Sequence, residues 1–231
     1  MAMNEYDEYL RTEWESFSGD STRSGKTLAE ISDLDVARVL DVGCGAGQEL
    51  LPFVNDPCTL VGVDVAPTVG VVGRQVFAHM RNTPVIFVRA AAEALPFTAD
   101  CFDVVICRLS LPYTHNAKAL AEMARVTRPE GILLLKIHHL RFYLDKFWKG
   151  LRAGDYLSMI HASRVMVAGA LYHCLGTQIR VQLISSETFL SEWLLRRELT
   201  KLGLTIRRET PDSNPLTPSF NIVKERCRYL I

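Results

Sequence analysis

A buried-strand pattern runs directly into a glycine-rich turn at Val39-Leu-Asp-Val-Gly-Cys-Gly-Ala-Gly47. The apolar residues before the turn are typical of a strand that is covered on both faces. The glycines Gly43, Gly45 and Gly47 allow positive φ angles and a close approach of the backbone to a ligand. We therefore expect a nucleotide-type binding turn at the end of a buried strand.

An acidic residue inside this motif bears on which ligand the turn binds. A dinucleotide fold has the spacing G-x-G-x-x-G and rests a pyrophosphate on a helix N-terminus. Here the spacing is G-x-G-x-G, and Asp41 lies two residues before the first glycine. Its carboxylate would repel a pyrophosphate but suits the ammonium group of a methionine moiety. A nicotinamide oxidoreductase is therefore disfavoured.

A second acidic residue ends the next strand-like segment, Val61-Gly-Val-Asp64. A carboxylate at this place can accept hydrogen bonds from both hydroxyls of a ribose, as acids do in dinucleotide folds. An aspartate at the end of one strand is a weak signal by itself. Together with the glycine turn at this spacing, Asp64 becomes a specific indication of a nucleoside-containing ligand.

Strand-like segments alternate with helix-like segments along most of the chain, which predicts a parallel sheet covered by helices on both faces. Pro67 is the predicted start of one helix, Asn116 the predicted N-cap of a helix over Ala117–Thr127, and Ser186 the predicted cap of a helix that contains Phe189. The predicted strands are Val39–Val42, Leu60–Asp64, Val85–Val88, Phe102–Cys107, Gly131–Ile137, Leu204–Glu209 and Phe220–Lys224.

The alternation suggests one domain over 1–231, with N-terminal helices in 1–36, a ligand-binding core in 37–137, a helical lid insertion in 138–177 and the C-terminal part of the sheet in 178–231. The insertion is rich in aromatic residues at roughly helical spacing. These rings either pack a core or cover an apolar ligand, and both interpretations stay open. They are Tyr143, Phe147, Trp148, Tyr156 and Tyr172.

Composition excludes several classes of protein. The 26 basic and 26 acidic side chains are interspersed, so nucleic acid is not favoured as a partner. The six cysteines form no metal-binding spacing, so we expect no metal, and a reduced, cytoplasmic protein fits best. No apolar run of the length needed to span a bilayer occurs, so no membrane span is expected.

In five blocks the chain resembles the class I S-adenosylmethionine-dependent methyltransferases, and most closely their small-molecule, type 11-like subgroup. The resemblance implies a Rossmann-like α/β fold with a seven-stranded sheet, mostly parallel with an antiparallel last strand. It also implies the cofactor S-adenosyl-L-methionine and the product S-adenosyl-L-homocysteine. The blocks are 39–47, 61–64, Ala-Glu-Ala-Leu-Pro-Phe at 92–97, Phe-Asp-Val-Val-Ile-Cys at 102–107 and Glu-Met-Ala-Arg-Val-Thr-Arg-Pro-Glu-Gly at 122–131.

The resemblance assigns roles by position. The residues expected around the methionine part are Asp41, Gly43 and Gly45; around the ribose, Asp64; around the adenine, Val65, Ala92 and Glu93; and beside the sulfonium, Cys107 and Arg108. Cys44 is a further expected cofactor-binding residue. The chain departs from the family pattern at Ala91, where an aspartate is common, and at Glu130, where a glycine is usual.

The implied reaction is in-line methyl transfer to a small, partly apolar acceptor. His115 and Tyr113 are the candidate catalytic residues, and His138 and His139 are further candidates for a general base. Two other functions remain open: a non-catalytic protein that binds the cofactor or supports a partner, and a nucleic-acid methyltransferase, which the zero net charge disfavours. The oligomeric state does not follow from the sequence.

Overall fold

The computed structural model describes residues 8, 10–12, 14–15, 21–78, 84–178 and 187–226. All seven predicted strands are present within it. The largest difference is at the fifth strand, which begins at Thr127 rather than at Gly131. The strands are β1 (Arg38–Val42), β2 (Thr59–Asp64), β3 (Val85–Arg89), β4 (Phe102–Arg108), β5 (Thr127–Lys136), β6 (Leu204–Glu209) and β7 (Ser219–Lys224).

These strands form one sheet in the order β3-β2-β1-β4-β5-β7-β6. The pairs from β3 through β5 are parallel, whereas β7 runs antiparallel to both β5 and β6. The predicted seven-stranded sheet with an antiparallel last strand is therefore confirmed. Because β1 lies between β2 and β4, the chain order reverses at the carboxyl end of β1, which is where α/β sheets bind ligands.

Helices cover both faces of this sheet. Alternate residues of β1 belong to different apolar clusters: Val39 packs with Leu50 and Phe53 on one face, and Leu40 packs with Leu120 on the other. The helices are α1 (Ser21–Ala29), α2 (Val71–Phe77), α3 (Asn116–Val126), α4 (Leu140–Ala153), α5 (Tyr156–Leu175) and α6 (Glu192–Thr200), and short 3-10 helices span Gln48–Phe53 and Leu111–Tyr113. The described residues among 8–15 are also helical, as expected for the N-terminal part.

Two predicted helix starts are wrong. The helix expected at Pro67 begins only at Val71, because a run of turns comes first and Gly70 adopts a left-handed φ of 74°. Asn116 is the first helical residue of α3 and not its cap, since the preceding residue occupies the N-cap position. The Asn116 amide instead donates to Thr188 Oγ1 at 2.9 Å.

The start of α6 also differs from the prediction. Ser186 lies outside the described residues, and Phe189 precedes the helix rather than belonging to it. The helix begins at Glu192, and Ser191 Oγ caps it by accepting a hydrogen bond from Leu194 N at 3.2 Å.

The segment that follows β5 is a helical hairpin, as predicted. Helix α4 ends at Gly154, whose φ is 70°, and the carboxylate of Asp155 caps α5 by accepting from Ser158 N. Its aromatic residues differ in burial: Tyr143 is fully buried, whereas Tyr156 is 72% exposed. Within the described part of the chain, no helix combines the length and apolar character that crossing a bilayer requires.

Candidate cofactor and acceptor site

The glycine turn after β1 is fixed against both neighbouring strands. Gly43 N and Cys44 N donate to Val63 O of β2 at 2.7 and 3.0 Å. Gly43 has a φ of 74°, and a Cβ atom at this position would lie 2.3 Å from Ser110 Cβ in the loop after β4. Only glycine fits there, because any side chain would overlap that loop. Gly43 is thus exposed at the carboxyl end of β1, whereas Gly45 and Gly47 are buried.

The carboxylate of Asp64 joins the two predicted cofactor elements. Its Oδ2 accepts from Gly45 N at 3.0 Å and its Oδ1 accepts from Ala66 N at 2.9 Å. An ionised carboxylate offers about four acceptor positions, so about two remain for a ligand. Val65, the next residue, is 67% exposed. Asp64 therefore both holds the glycine turn and keeps acceptor capacity at the sheet edge.

The electrostatic environment beside the turn is negative. Asp41 is buried in β1. Burial, followed by the charges of Asp41 and Asp64, raises the pKa of the Cys44 thiol well above its ordinary value. Burial likewise raises the pKa of Cys107 to about 12, with Asp41 contributing to the rise. Both thiols stay protonated at neutral pH, and the local field suits a ligand that carries positive charge.

The predicted adenine residues follow β3. Ala92 and Glu93 are half-buried. Glu93 Oε1 accepts a hydrogen bond from His115 N at 2.6 Å, so this carboxylate is held at the start of α3. Ala91, at the position where the family often has an aspartate, brings no polar group of its own. The structure thus supplies an apolar surface followed by one anchored acid.

Arg108 lies in a buried ion-pair network. Its Nε is 3.2 Å from Glu49 Oε2 and its Nη1 is 2.5 Å from Asp212 Oδ2, while Lys136 Nζ approaches the same Asp212 oxygen at 2.9 Å. Burial alone would raise the pKa of Asp212, but Arg108 and Lys136 outweigh it and hold the pKa well below its usual value. The two cations and two anions balance, so Arg108 links the glycine-turn helix to the loop after β6. Its expected place beside the sulfonium stays a prediction.

The predicted catalytic residues occupy different surroundings. Tyr113 is 56% exposed, and its ring packs edge-on against His138 with the centroids 6.2 Å apart. His115 is the N-cap of α3, and its Nδ1 is buried with no hydrogen-bond partner among the residues that the structure describes. His139 caps α4, where burial and Arg141 lower its pKa. The structure therefore associates Tyr113 with His138.

His138 belongs to a buried polar relay that the sequence did not indicate. Its Nδ1 lies 3.1 Å from Tyr143 Oη, which donates to Glu187 Oε1 at 2.5 Å. His161 Nε2 is 2.9 Å from the other oxygen of Glu187, and the Phe142 ring stacks on His138 at 4.2 Å. Tyr143 and Glu187 are 44 residues apart in the sequence, so no local pattern connects them. The sequence indicated His138 as a candidate base and Tyr143 only as an aromatic residue of the insertion.

Burial and hydrogen bonds together shift the pKa values of Glu187 and Tyr143 in this relay. Burial would raise the pKa of Glu187, but the bonds from His138 and Tyr143 and the nearby His161 lower it overall. Burial and Glu187 together raise the pKa of Tyr143. We assign the His138 proton to Nδ1, because Tyr143 Oη donates to Glu187 and can accept from the ring; in this tautomer the lone pair is on Nε2.

The comparisons with known proteins agree with this geometry. Residues 40–135 match the sequence profile of the family described as "Methyltransferase domain". The uncharacterized methyltransferase YcgJ of Bacillus subtilis is 32% identical over 135 residues, or 54% of this chain and 53% of that protein. The ubiquinone/menaquinone biosynthesis C-methyltransferase UbiE of a Marinomonas species is 37% identical over 125 residues, or 52% of this chain and 45% of that protein.

The chain thus spans about half the length of the curated relatives it matches. Among solved structures, magnesium protoporphyrin IX methyltransferase (ChlM) from Synechocystis with bound SAH superposes with a TM-score of 0.59 at 14% identity, covering 97% of this chain and 90% of that chain. A likeness at this identity shows the fold alone. The family match and the shared fold both agree with the resemblance: residues 40–135 match a methyltransferase domain, and the sheet has the fold of a solved methyltransferase.

Proposed function

We propose that this protein transfers a methyl group from S-adenosylmethionine to a small, partly apolar acceptor. The observation that carries the proposal is the hydrogen bond from Gly45 N to Asp64 Oδ2, which unites the glycine turn and the ribose-type acid at one sheet edge. When bound, S-adenosylmethionine supplies an activated methyl group. The residues that would hold it are Asp41, Gly43, Cys44, Gly45, Asp64, Val65, Ala92, Glu93, Cys107 and Arg108.

The residues present fit this cofactor in charge. The buried Asp41 suits a ligand ammonium group, and Gly43 is exposed at the carboxyl end of β1. Asp64 retains acceptor capacity for ribose hydroxyls. Because a sulfonium is a good leaving group, the protein has to orient the acceptor and exclude water, and orientation alone can contribute about 7–11 kcal/mol.

The acceptor site that we propose lies between the loop after β4 and the helical hairpin. Tyr113 and His138 follow the carboxyl ends of the neighbouring strands β4 and β5 and pack against each other. One relative is named as a ubiquinone/menaquinone biosynthesis C-methyltransferase, which supports a quinone-type acceptor here. The aromatic rings at this edge suit such a molecule.

We propose His138 as the general base for an acceptor that must lose a proton. Its Nε2 receives the proton, while Tyr143 and Glu187 hold the ring orientation and stabilise the resulting imidazolium. Tyr113 positions the acceptor beside it. His115, the other candidate, contributes its backbone to the start of α3, which makes it a suitable comparison variant.

A labelling experiment tests the proposal in two stages. The protein is first titrated with S-adenosylhomocysteine and NAD; binding of the first alone is expected, and tight NAD binding alone refutes the cofactor assignment. It is then incubated with methyl-labelled S-adenosylmethionine and a panel of reduced quinones, sterols and phenols. Label in an organic extract is expected, with a larger loss for His138→Asn than for His115→Asn. Cofactor binding without label in any acceptor would favour the non-catalytic alternative.

A further inference from the structure

Exposed apolar side chains are concentrated on the α4–α5 hairpin. Among the described residues, fourteen large apolar side chains are exposed, and eight of them belong to these two helices. Soluble proteins rarely expose a contiguous apolar patch of more than a few hundred Å² unless it contacts a partner or a membrane. The eight residues, here called the hairpin patch, are Leu144, Trp148, Leu151, Tyr156, Leu157, Ile160, Val167 and Leu175.

The spacing of the patch residues places them on one face of each helix. On α4, Leu144, Trp148 and Leu151 recur at intervals of four and three residues, which is helical spacing. On α5, Leu157 and Ile160 are 80% and 56% exposed and lie on one side of the helix. Both helices therefore present an ordered apolar surface to solvent.

The other side of α5 is already occupied. Ala162, Val165, Ala168 and Tyr172 recur at helical spacing and are buried. Gly169 allows the helix to approach Phe189, because a Cβ atom there would lie 2.2 Å from the ring. Packing within the protein thus buries one apolar face of α5, whereas the opposite apolar face remains exposed.

The charge of the hairpin favours a negatively charged occupant for the patch. Residues 138–177 carry five basic and two acidic side chains, while the rest of the chain carries 21 basic and 24 acidic ones. Both acids are already engaged: Asp145 pairs with Lys149 at 2.7 Å, and Asp155 caps α5. An apolar face with excess positive charge complements a lipid surface that carries negative charge.

We propose that the hairpin patch docks on an anionic lipid bilayer. The hairpin lies along the interface, with its apolar side chains among the acyl chains and with Arg152 near the phosphate groups. Trp148 and Tyr156 are 52% and 72% exposed, and such rings favour the membrane–water boundary. This position brings the proposed acceptor site close to a reservoir of apolar molecules.

A second copy of the chain fits the patch less well. A two-fold interface sets the same surface against itself. The excess cations of both copies would then face each other across an apolar contact, where like charges are costly. A bilayer with acidic lipids has no such repulsion.

Vesicle sedimentation with the full chain tests the docking. Binding to phosphatidylcholine vesicles with about a third phosphatidylglycerol is expected to be at least fivefold tighter than to phosphatidylcholine alone, and to weaken as salt rises. Ile160→Glu should weaken it at least tenfold. The matched control is Ile86→Glu, at an isoleucine on β3 that is 49% exposed, and it should have no effect.

Three results overturn the proposal: no binding to either vesicle, equal losses in Ile160→Glu and Ile86→Glu, or a wild-type dimer that Ile160→Glu converts to a monomer without any vesicle binding. S-adenosylhomocysteine affinity is measured for the same variants. It is expected to be unchanged in Ile160→Glu, so failure of the docking and failure of the proposed function are distinguishable.

Discussion

Replacing Asp64 by alanine should weaken cofactor binding far more than it weakens the fold. Hydrogen bonds to a charged group contribute about 1.5–3 kcal/mol each. Asp64 is half-exposed, so the lower value applies, and two ribose hydroxyls then give about 3 kcal/mol, or roughly 100-fold in the dissociation constant. The variant also loses the bond to Gly45 N, which loosens the turn. We expect at least a tenfold increase in the dissociation constant.

Titration calorimetry with S-adenosylhomocysteine measures this change, and Asp103→Ala provides a matched control. Asp103 Oδ2 accepts from Ala37 N at 2.8 Å and from Arg38 N at 2.7 Å, so it also binds two backbone N–H groups beside β1. It lies at the opposite, amino edge of the sheet. Its removal should lower the melting temperature but change the dissociation constant less than twofold. An unchanged dissociation constant in a folded Asp64→Ala variant would refute the ribose assignment.

Two further predictions concern stability. Gly43→Ala should lower the free energy of unfolding, measured in urea, by more than Gly154→Ala does. Both glycines have a positive φ, so both substitutions strain the backbone. Only the new Cβ atom at position 43 would overlap Ser110, because nothing lies within 4 Å of a Cβ atom at position 154. Asp212→Asn should cost about 3 kcal/mol near pH 7, because it leaves Arg108 buried with one carboxylate fewer. The pKa of Asp212 is lower in the folded protein than in the unfolded chain, where it is about 3.9. The stabilisation by Asp212 is therefore complete above the unfolded pKa and is lost as the pH falls through the folded pKa. The difference in the free energy of unfolding between the wild type and Asp212→Asn should shrink only below about pH 4.

Local patterns were sufficient to predict the sheet. Each strand combines an apolar run with flanking turn residues, and the observed bounds of β6 equal the predicted ones. Asp64 was predicted as a ligand residue from a signal that is also local, an acid that ends a strand after a glycine turn. The predicted start of α2 was wrong because Pro67 is compatible with several turn types as well as with a helix start.

Long-range pairing was beyond the reach of such patterns. Arg108 and its partner Asp212 are 104 residues apart, and nothing in either segment marks the other. The same holds for Tyr143 and Glu187, whose contact depends on how the hairpin packs against the segment before α6. The sequence thus placed His138 at a sheet edge but could not show what holds its ring.

The position of β7 in the sheet sets an order of events during synthesis. β7 is made after β6, yet it lies between β5 and β6 and hydrogen-bonds to both. Until β7 leaves the ribosome, β6 has no strand to join, and β5 ends the growing sheet with an open edge. Pairing that waits for a later segment is slow and leaves strand edges exposed to aggregation. A nascent chain released before residue 219 would therefore lack two paired strands of the sheet rather than one.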